Sequence, residues 1–264
     1  MVIRMIQDHS TIEHAKSWVE YSFYLKDNKI ASFVAPNPPM ITNEGFENSF
    51  TADYTGRLNL KVNVEKNNNC PTGYEEKLLV YVGTDENGFK KQINKYSYNY
   101  YNKANNQKIG SLNYITEIPP KKKLFDLFRG YGYKIFNYNS VDYCIYYVPA
   151  GKDGIFYCVH VNNEIVALIK RDEAVYNHKD CYTIYALNNV NVDALCLIAA
   201  HYDYTHHEQA MPKLSAGVQT TNLYNKDHRE EIINKYDPTF IQKILDIEEK
   251  NFDFNVVMSN NIGN

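Results

Sequence analysis

Between residues 57 and 65 the chain reads RLNLKVNVE, with Leu58, Leu60, Val62 and Val64 alternating against polar neighbours. A period of two is the pattern of a half-buried antiparallel strand. KLLVYVG (77–83) predicts a second strand, and TDENG (84–88) supplies a turn after it. YSYNYYNKANNQKIGSLNYI (96–115) then reads as strand, polar turn, strand. From 133 to 172 short aromatic and β-branched segments alternate with AGKDG and VNNE. Both phrases suit hairpins, because Gly and Asn tolerate the positive φ of tight turns. CYTIYAL (181–187) adds another strand. The connections leave no room for crossover helices, so the sheet must be antiparallel.

The two ends of the chain carry a different period. STIEHAKSWVEYSFYLK (10–26) pairs Ser10 with Glu13 as a capping box, and Ile12, Ala15, Val19 and Phe23 recur near helical spacing. This predicts a helix over 10–26, stopped by APNPPM (35–40). KDHREEIINKYDPTFIQKILDIEEK (226–250) predicts two more helical segments. In the second, Asp237 is the N-cap and Pro238 the first helical residue, with Phe240, Ile241, Ile244 and Leu245 on one face.

NVDALCLIAAHYDY (191–204) breaks with everything around it, because its apolar residues surround the helix it would form. Asn191 and Asp193 suit its start. Fourteen residues make a rod of roughly 21 Å, short of the roughly 20 apolar residues that a bilayer requires. A helix apolar on all sides has to be enclosed on all sides, and one flat sheet covers only one. The pattern therefore predicts a mainly β protein: a closed antiparallel β-barrel around a central hydrophobic helix, with helical additions at both termini. Residues 1–90 are expected to form either a subdomain or part of the barrel, 91–205 the barrel and its helix, and 206–264 a helical extension and tail.

The series IFYCVHVNNEIVALIKRD followed by CYTIYALNNVNVDALCLIAAHYDY resembles the C-terminal half of the tubby-like superfamily, nearest its LURP-one-related and phospholipid-scramblase-like branch. The shared pattern is strand, polar turn, strand ending in Ile169-Lys170-Arg171, strand, and a closing hydrophobic helix that ends in Asp203-Tyr204. It covers about residues 130–205. The resemblance implies a twelve-stranded barrel threaded by the helix. It also implies a binding role, since tubby proteins bind phosphoinositides through basic residues. No residue of that kind matches position by position. The cysteine-rich and proline-rich segments of scramblases are missing, as is a long membrane helix after the barrel, which argues against scrambling.

Composition narrows the partners. The net charge is -3, so nothing global attracts nucleic acid, and any anion site must be a local patch. Twenty-four tyrosines and 12 phenylalanines favour strands. Five cysteines without a Cys-x-x-Cys pair fit neither a disulfide framework nor a zinc site. The first residues lack the apolar run of a secretory signal, so a reduced, cytoplasmic protein is expected, peripheral to the membrane where it engages lipid.

Three stretches offer chemistry. PPKKKLFDLFRGYGYK (119–134) sets Lys121, Lys122, Lys123, Arg129 and Lys134 among Leu124, Phe125, Leu127 and Phe128. Cations interleaved with bulky apolar groups can rest on an anionic membrane surface, and the plainer reading is a solvated basic turn. HYDYTHHEQ (201–209) gathers His201, His206, His207 and Glu208, a weak metal alternative because residues five apart on a helix diverge. Cys158 and His160 share a strand face, but a nucleophilic thiolate also needs exposure and an orienting group, so buried thiol is the better reading. The expectation is a non-catalytic module with no cofactor, recognising anionic lipid headgroups or a protein partner. A metal-dependent hydrolase and a structural, oligomerising protein are the alternatives, and the oligomeric state is open.

Overall fold

The computed structural model describes residues 1–8, 18–36, 41–42, 45–46, 51–66, 79–94, 96–118, 131–150, 154–172, 180–206 and 232–249. The strands are β1 (Val2–Gln7), β2 (Trp18–Leu25), β3 (Asn28–Pro36), β4 (Ile41–Thr42), β5 (Gly45–Phe46), β6 (Thr51–Thr55), β7 (Asn59–Lys66), β8 (Leu79–Thr84), β9 (Lys90–Asn94), β10 (Tyr96–Asn102), β11 (Lys108–Ile118), β12 (Tyr131–Tyr138), β13 (Val141–Pro149), β14 (Ile155–Val161), β15 (Glu164–Arg171) and β16 (Cys181–Ala186). The helices are α1 (Val192–His206) and α2 (240–249).

Twelve of these strands close into an antiparallel barrel. The order round the ring is β1, β2, β3, β6, β7, β10, β11, β12, β13, β14, β15, β16 and back to β1. Residues 2–66 supply five staves of the ring. Local chemistry explains the tight corners. Asn139 and Ser140 between β12 and β13, and Asn162 and Asn163 between β14 and β15, all have positive φ, as two-residue hairpins demand. Asp85 Oδ1 accepts from the amides of Asn87 and Phe89, folding the turn between β8 and β9.

One expected element is replaced. Residues 18–25 of the helix predicted over 10–26 form β2, and the capping box at Ser10 and Glu13 lies outside the described residues. Val19 and Phe23 are four apart, so they satisfy a period of two as well as a helical one. Tyr21 decides between them: Val19, Tyr21 and Phe23 are all fully buried on one face of a strand rich in β-forming residues.

α1 fills the space that the ring encloses. An eight-stranded barrel is filled by its own side chains, whereas 16 to 18 strands leave an aqueous channel. Twelve staves leave intermediate room, and a helix about 10–12 Å across suits it. Every residue from Ala194 to Asp203 is buried. The Asn191 side chain accepts from the Ala194 amide (3.1 Å) and caps the helix, while Asp193 reaches sideways to the wall. The helix meets strands from opposite sides of the ring, Tyr98 of β10 packing on His201 and Tyr182 of β16 donating to Asp203.

The barrel carries a second apolar layer outside. Tyr146, Val148, Phe156, Cys158 and Leu168 face outward and are covered by Ile232, Phe240 and Ile244. Asp237 caps α2, its carboxylate accepting from the Thr239 amide (2.8 Å). The expected apolar face of α2 is narrower than the sequence implies. Phe240 and Ile244 are buried, Ile241 is partly so, and Leu245 is 42% exposed.

Candidate binding site

At one end of the barrel the wall rises past the rim. The first half of β11 pairs with β10 and closes the ring, while Ile115 to Ile118 pair with β9, which in turn pairs with β8. On its other edge β11 pairs with β12 from Gly110 to Glu117. The result is a β8–β9–β11–β12 extension at the end where α1 finishes. Ile118 and Tyr131 are the adjoining ends of the β11–β12 hairpin, and the basic phrase connects them.

Lys121, Lys122, Lys123 and Arg129 fall outside the described residues, so Lys134 alone of the predicted basic site can be located. It sits on β12 in register with Tyr114 and Ile145, and alternates with Phe136 and Tyr138, which face the core. Lys134 therefore faces the barrel interior and not the outer surface that a membrane-facing cation requires. Part of its side chain stays accessible, yet protein atoms crowd the ammonium. Desolvation lowers its pKa from 10.5 to about 7.

The two faces of the extension differ in charge. Glu117 faces outward, where Lys91 (3.3 Å) and the Tyr133 hydroxyl (2.8 Å) hold it. On the face continuous with the interior the register aligns Lys90 with Ile118, Gln92 with Thr116, and Tyr114 with Lys134. Among the described residues that face carries two cations and no carboxylate. The Tyr114 side chain lies across Gly132, and a Cβ there would meet its hydroxyl end, so a larger residue would have to displace it.

Of the histidine cluster only His201 has a described side chain. His201 is buried with its ring edge-on to Tyr98 (centroids 4.3 Å), the His206 side chain and residues 207–208 lie outside the described residues, and no group of three metal-ligating side chains occurs among those described. Cys158 and His160 are both buried on the outer face. Burial pushes the Cys158 thiol up to about 12, the reverse of activation. His160 Nε2 lies 2.9 Å from the carbonyl oxygen of Lys235, so it fastens the C-terminal segment to the wall. Cys144, Cys158, Cys181 and Cys196 are free thiols.

No family model, curated protein or solved structure matches the chain. Its chemistry is therefore read from its own residues.

Two polar clusters escaped the sequence reading. At the start of α1, Asp193 accepts from the Tyr54 hydroxyl (2.7 Å) and the Arg57 amide (3.2 Å). At its end, Tyr182 donates to the fully buried Asp203, and Arg171 pairs with Asp180. Arg171 belongs to the Ile-Lys-Arg phrase and Asp203 to the closing Asp-Tyr, so the fold brings the two quoted signatures into one electrostatic cluster. Lys90 and Lys91 were also missed. Their signal, two lysines after Phe89, became meaningful only once β9 was paired with the end of β11. No helix among the described residues is long and apolar enough to cross a membrane.

Proposed function

We propose that this protein is a non-catalytic binding module of tubby-like type, its barrel threaded by α1, that recognises anionic lipid headgroups through the β11–β12 hairpin end. Kinship is supported by the twelve-stranded antiparallel ring and by a helix buried on every side, the architecture that the resemblance implies. The binding role rests on one observation. The sheet register sets Lys90 beside Ile118, the residue from which Pro119, Pro120 and Lys121–Lys123 follow. Lys90 and Lys121–Lys123, which follow Ile118 by three to five positions of sequence, together give four cations, the lower end of the range associated with lipid recognition, about 4 to 8.

Sedimentation with vesicles tests this reading. Wild type is expected to co-sediment with phosphoinositide-containing vesicles and not with neutral ones, and the Lys121→Ala/Lys122→Ala/Lys123→Ala protein to remain in the supernatant. Lys90→Ala should weaken recovery further, with a steep dependence on salt. Equal recovery with both vesicle types removes the lipid and leaves a protein partner as the ligand of this surface.

A further inference from the structure

Two neighbouring lysines of β9 stand in opposite situations. Lys90 is exposed on the face continuous with the interior, and among the described residues no carboxylate pairs with it. Lys91 turns to the outer face, where its ammonium lies 3.3 Å from Glu117. Glu117 directly precedes Ile118, the residue at which β11 ends and from which the basic phrase leaves.

Glu117 is fixed, and Lys91 is free to swing. The Glu117 side chain is 12% exposed and accepts from the Tyr133 hydroxyl (2.8 Å), and Tyr133 is stacked on Tyr146 (centroids 5.4 Å). Burial and the Glu117 carboxylate push the Tyr133 hydroxyl far above its usual pKa, so it remains a donor. Lys91 is 42% exposed on a flexible stem, and a pair of this kind holds a lysine only weakly. The other described carboxylates at this end, Asp85 and Glu86, lie in the turn before β9. Asp85 folds that turn, and neither pairs with a described lysine.

We propose that Glu117 is a specificity-determining residue of the hairpin end, holding Lys91 in reserve so that the site prefers headgroups with a phosphate monoester to those with a phosphodiester alone. The inference rests on the reading of this end as an anionic-lipid site, and names the headgroup chemistry that it selects. To join Lys90 and Lys121–Lys123, Lys91 must leave a carboxylate of one charge. A phosphodiester offers one charge in return, so at equal distance the exchange gains nothing. A phosphate monoester carries about −1.5 to −2 near pH 7 and three acceptor oxygens, so the exchange becomes favourable.

Sedimentation of the full chain with phosphatidate vesicles, a monoester, and phosphatidylglycerol vesicles, a diester, tests the proposal at matched surface charge. Wild type is expected to bind phosphatidate several-fold more tightly. Glu117→Gln keeps an acceptor for the Tyr133 hydroxyl and frees Lys91. It should raise binding to phosphatidylglycerol and abolish the preference, with the thermal midpoint unmoved. Lys91→Ala should abolish the preference from the other side, by lowering binding to phosphatidate alone. The double variant should behave as Lys91→Ala does, since Glu117 acts through Lys91. A preference that survives either single variant overturns the proposal. So does equal binding of wild type to the two anionic vesicles above the neutral background, and in both cases the lipid reading stands. Recovery with neither anionic vesicle removes both.

Discussion

The hydroxyl of Tyr182 in β16 donates to the carboxylate of Asp203 near the end of α1, and both residues are fully buried. Burial and the neighbouring Asp203 together push the Tyr182 hydroxyl far above its usual pKa, so it stays a donor at any ordinary pH. A buried carboxylate deprived of a donor keeps its desolvation cost. Tyr182→Phe should therefore lower stability by about 1–3 kcal/mol in chemical denaturation. Asp203→Asn in that background should cost less than it does in wild type, because the two share one interaction. A double-mutant cycle giving no coupling would show that the bond holds nothing.

Lys134 sets a pH dependence with an unusual sign. Its ammonium loses its proton near pH 7 in the folded state and near 10.5 when unfolded, so the unfolded chain binds more protons between those values. Stability must rise with pH through that window, by at most about 1.4 kcal/mol per unit for one group. The penalty is complete below about pH 7. Buried thiols and tyrosines with raised pKa values oppose this at high pH, so the window to measure is pH 7 to 8.5. Urea midpoints should climb across it in wild type and climb less in Lys134→Met.

The C-terminal segment is fastened by apolar burial and by His160. Phe156 stacks on Tyr236 (centroids 4.7 Å), and Phe240 and Ile244 seal the outer layer. Phe240→Ala should cost about 3–5 kcal/mol if the segment unfolds together with the barrel. If the segment releases alone, the global transition stays in place while amide exchange accelerates in β13 to β15. Burial lowers the His160 pKa below its ordinary 6.5. Protonation is therefore disfavoured in the docked state, and stability falls as pH drops through 6.5 toward the folded value. His160→Gln, which can still donate to the Lys235 carbonyl, should blunt that loss.

What the sequence disclosed follows from which signals are local. Leu60, Val62 and Val64 alternate within a few residues, and Asn162-Asn163 is a self-contained turn, so β7 and the β14–β15 hairpin were visible directly. The need to enclose α1 was visible too, since it depends on one helix alone. β2 was obscured because two of its inward residues fit both periods. The direction in which Lys134 faces was hidden for a longer-range reason. Whether a lysine at a strand end faces water or the lumen is fixed by register with Tyr114 and Ile145, not by the basic residues that precede it. The convergence of Lys90 with Ile118 is likewise a fact of pairing across 28 positions of chain.

α1 sits off the barrel axis, and that makes its two sides answer oppositely to mutation. Its backbone lies nearest β1, β3 and β16. Asp203 points to β16 and Asp193 to the strand carrying Tyr54, so at 100° per residue Cys196 and Ala200 fall between them on the near side. The facing wall sets the alanines Ala31, Ala35 and Ala186 among larger core residues such as Ile3, Met5 and Phe33. Ile198 and His201 point the other way, toward the aromatic staves where Tyr98 lies. Ala200→Leu should overpack the near side and cost about 1–3 kcal/mol or more. Ile198→Ala should instead open a cavity on the far side at about 2–5 kcal/mol. Xenon or another apolar probe should restabilise Ile198→Ala and leave Ala200→Leu unchanged. Rescue of both or of neither would place the helix on the axis.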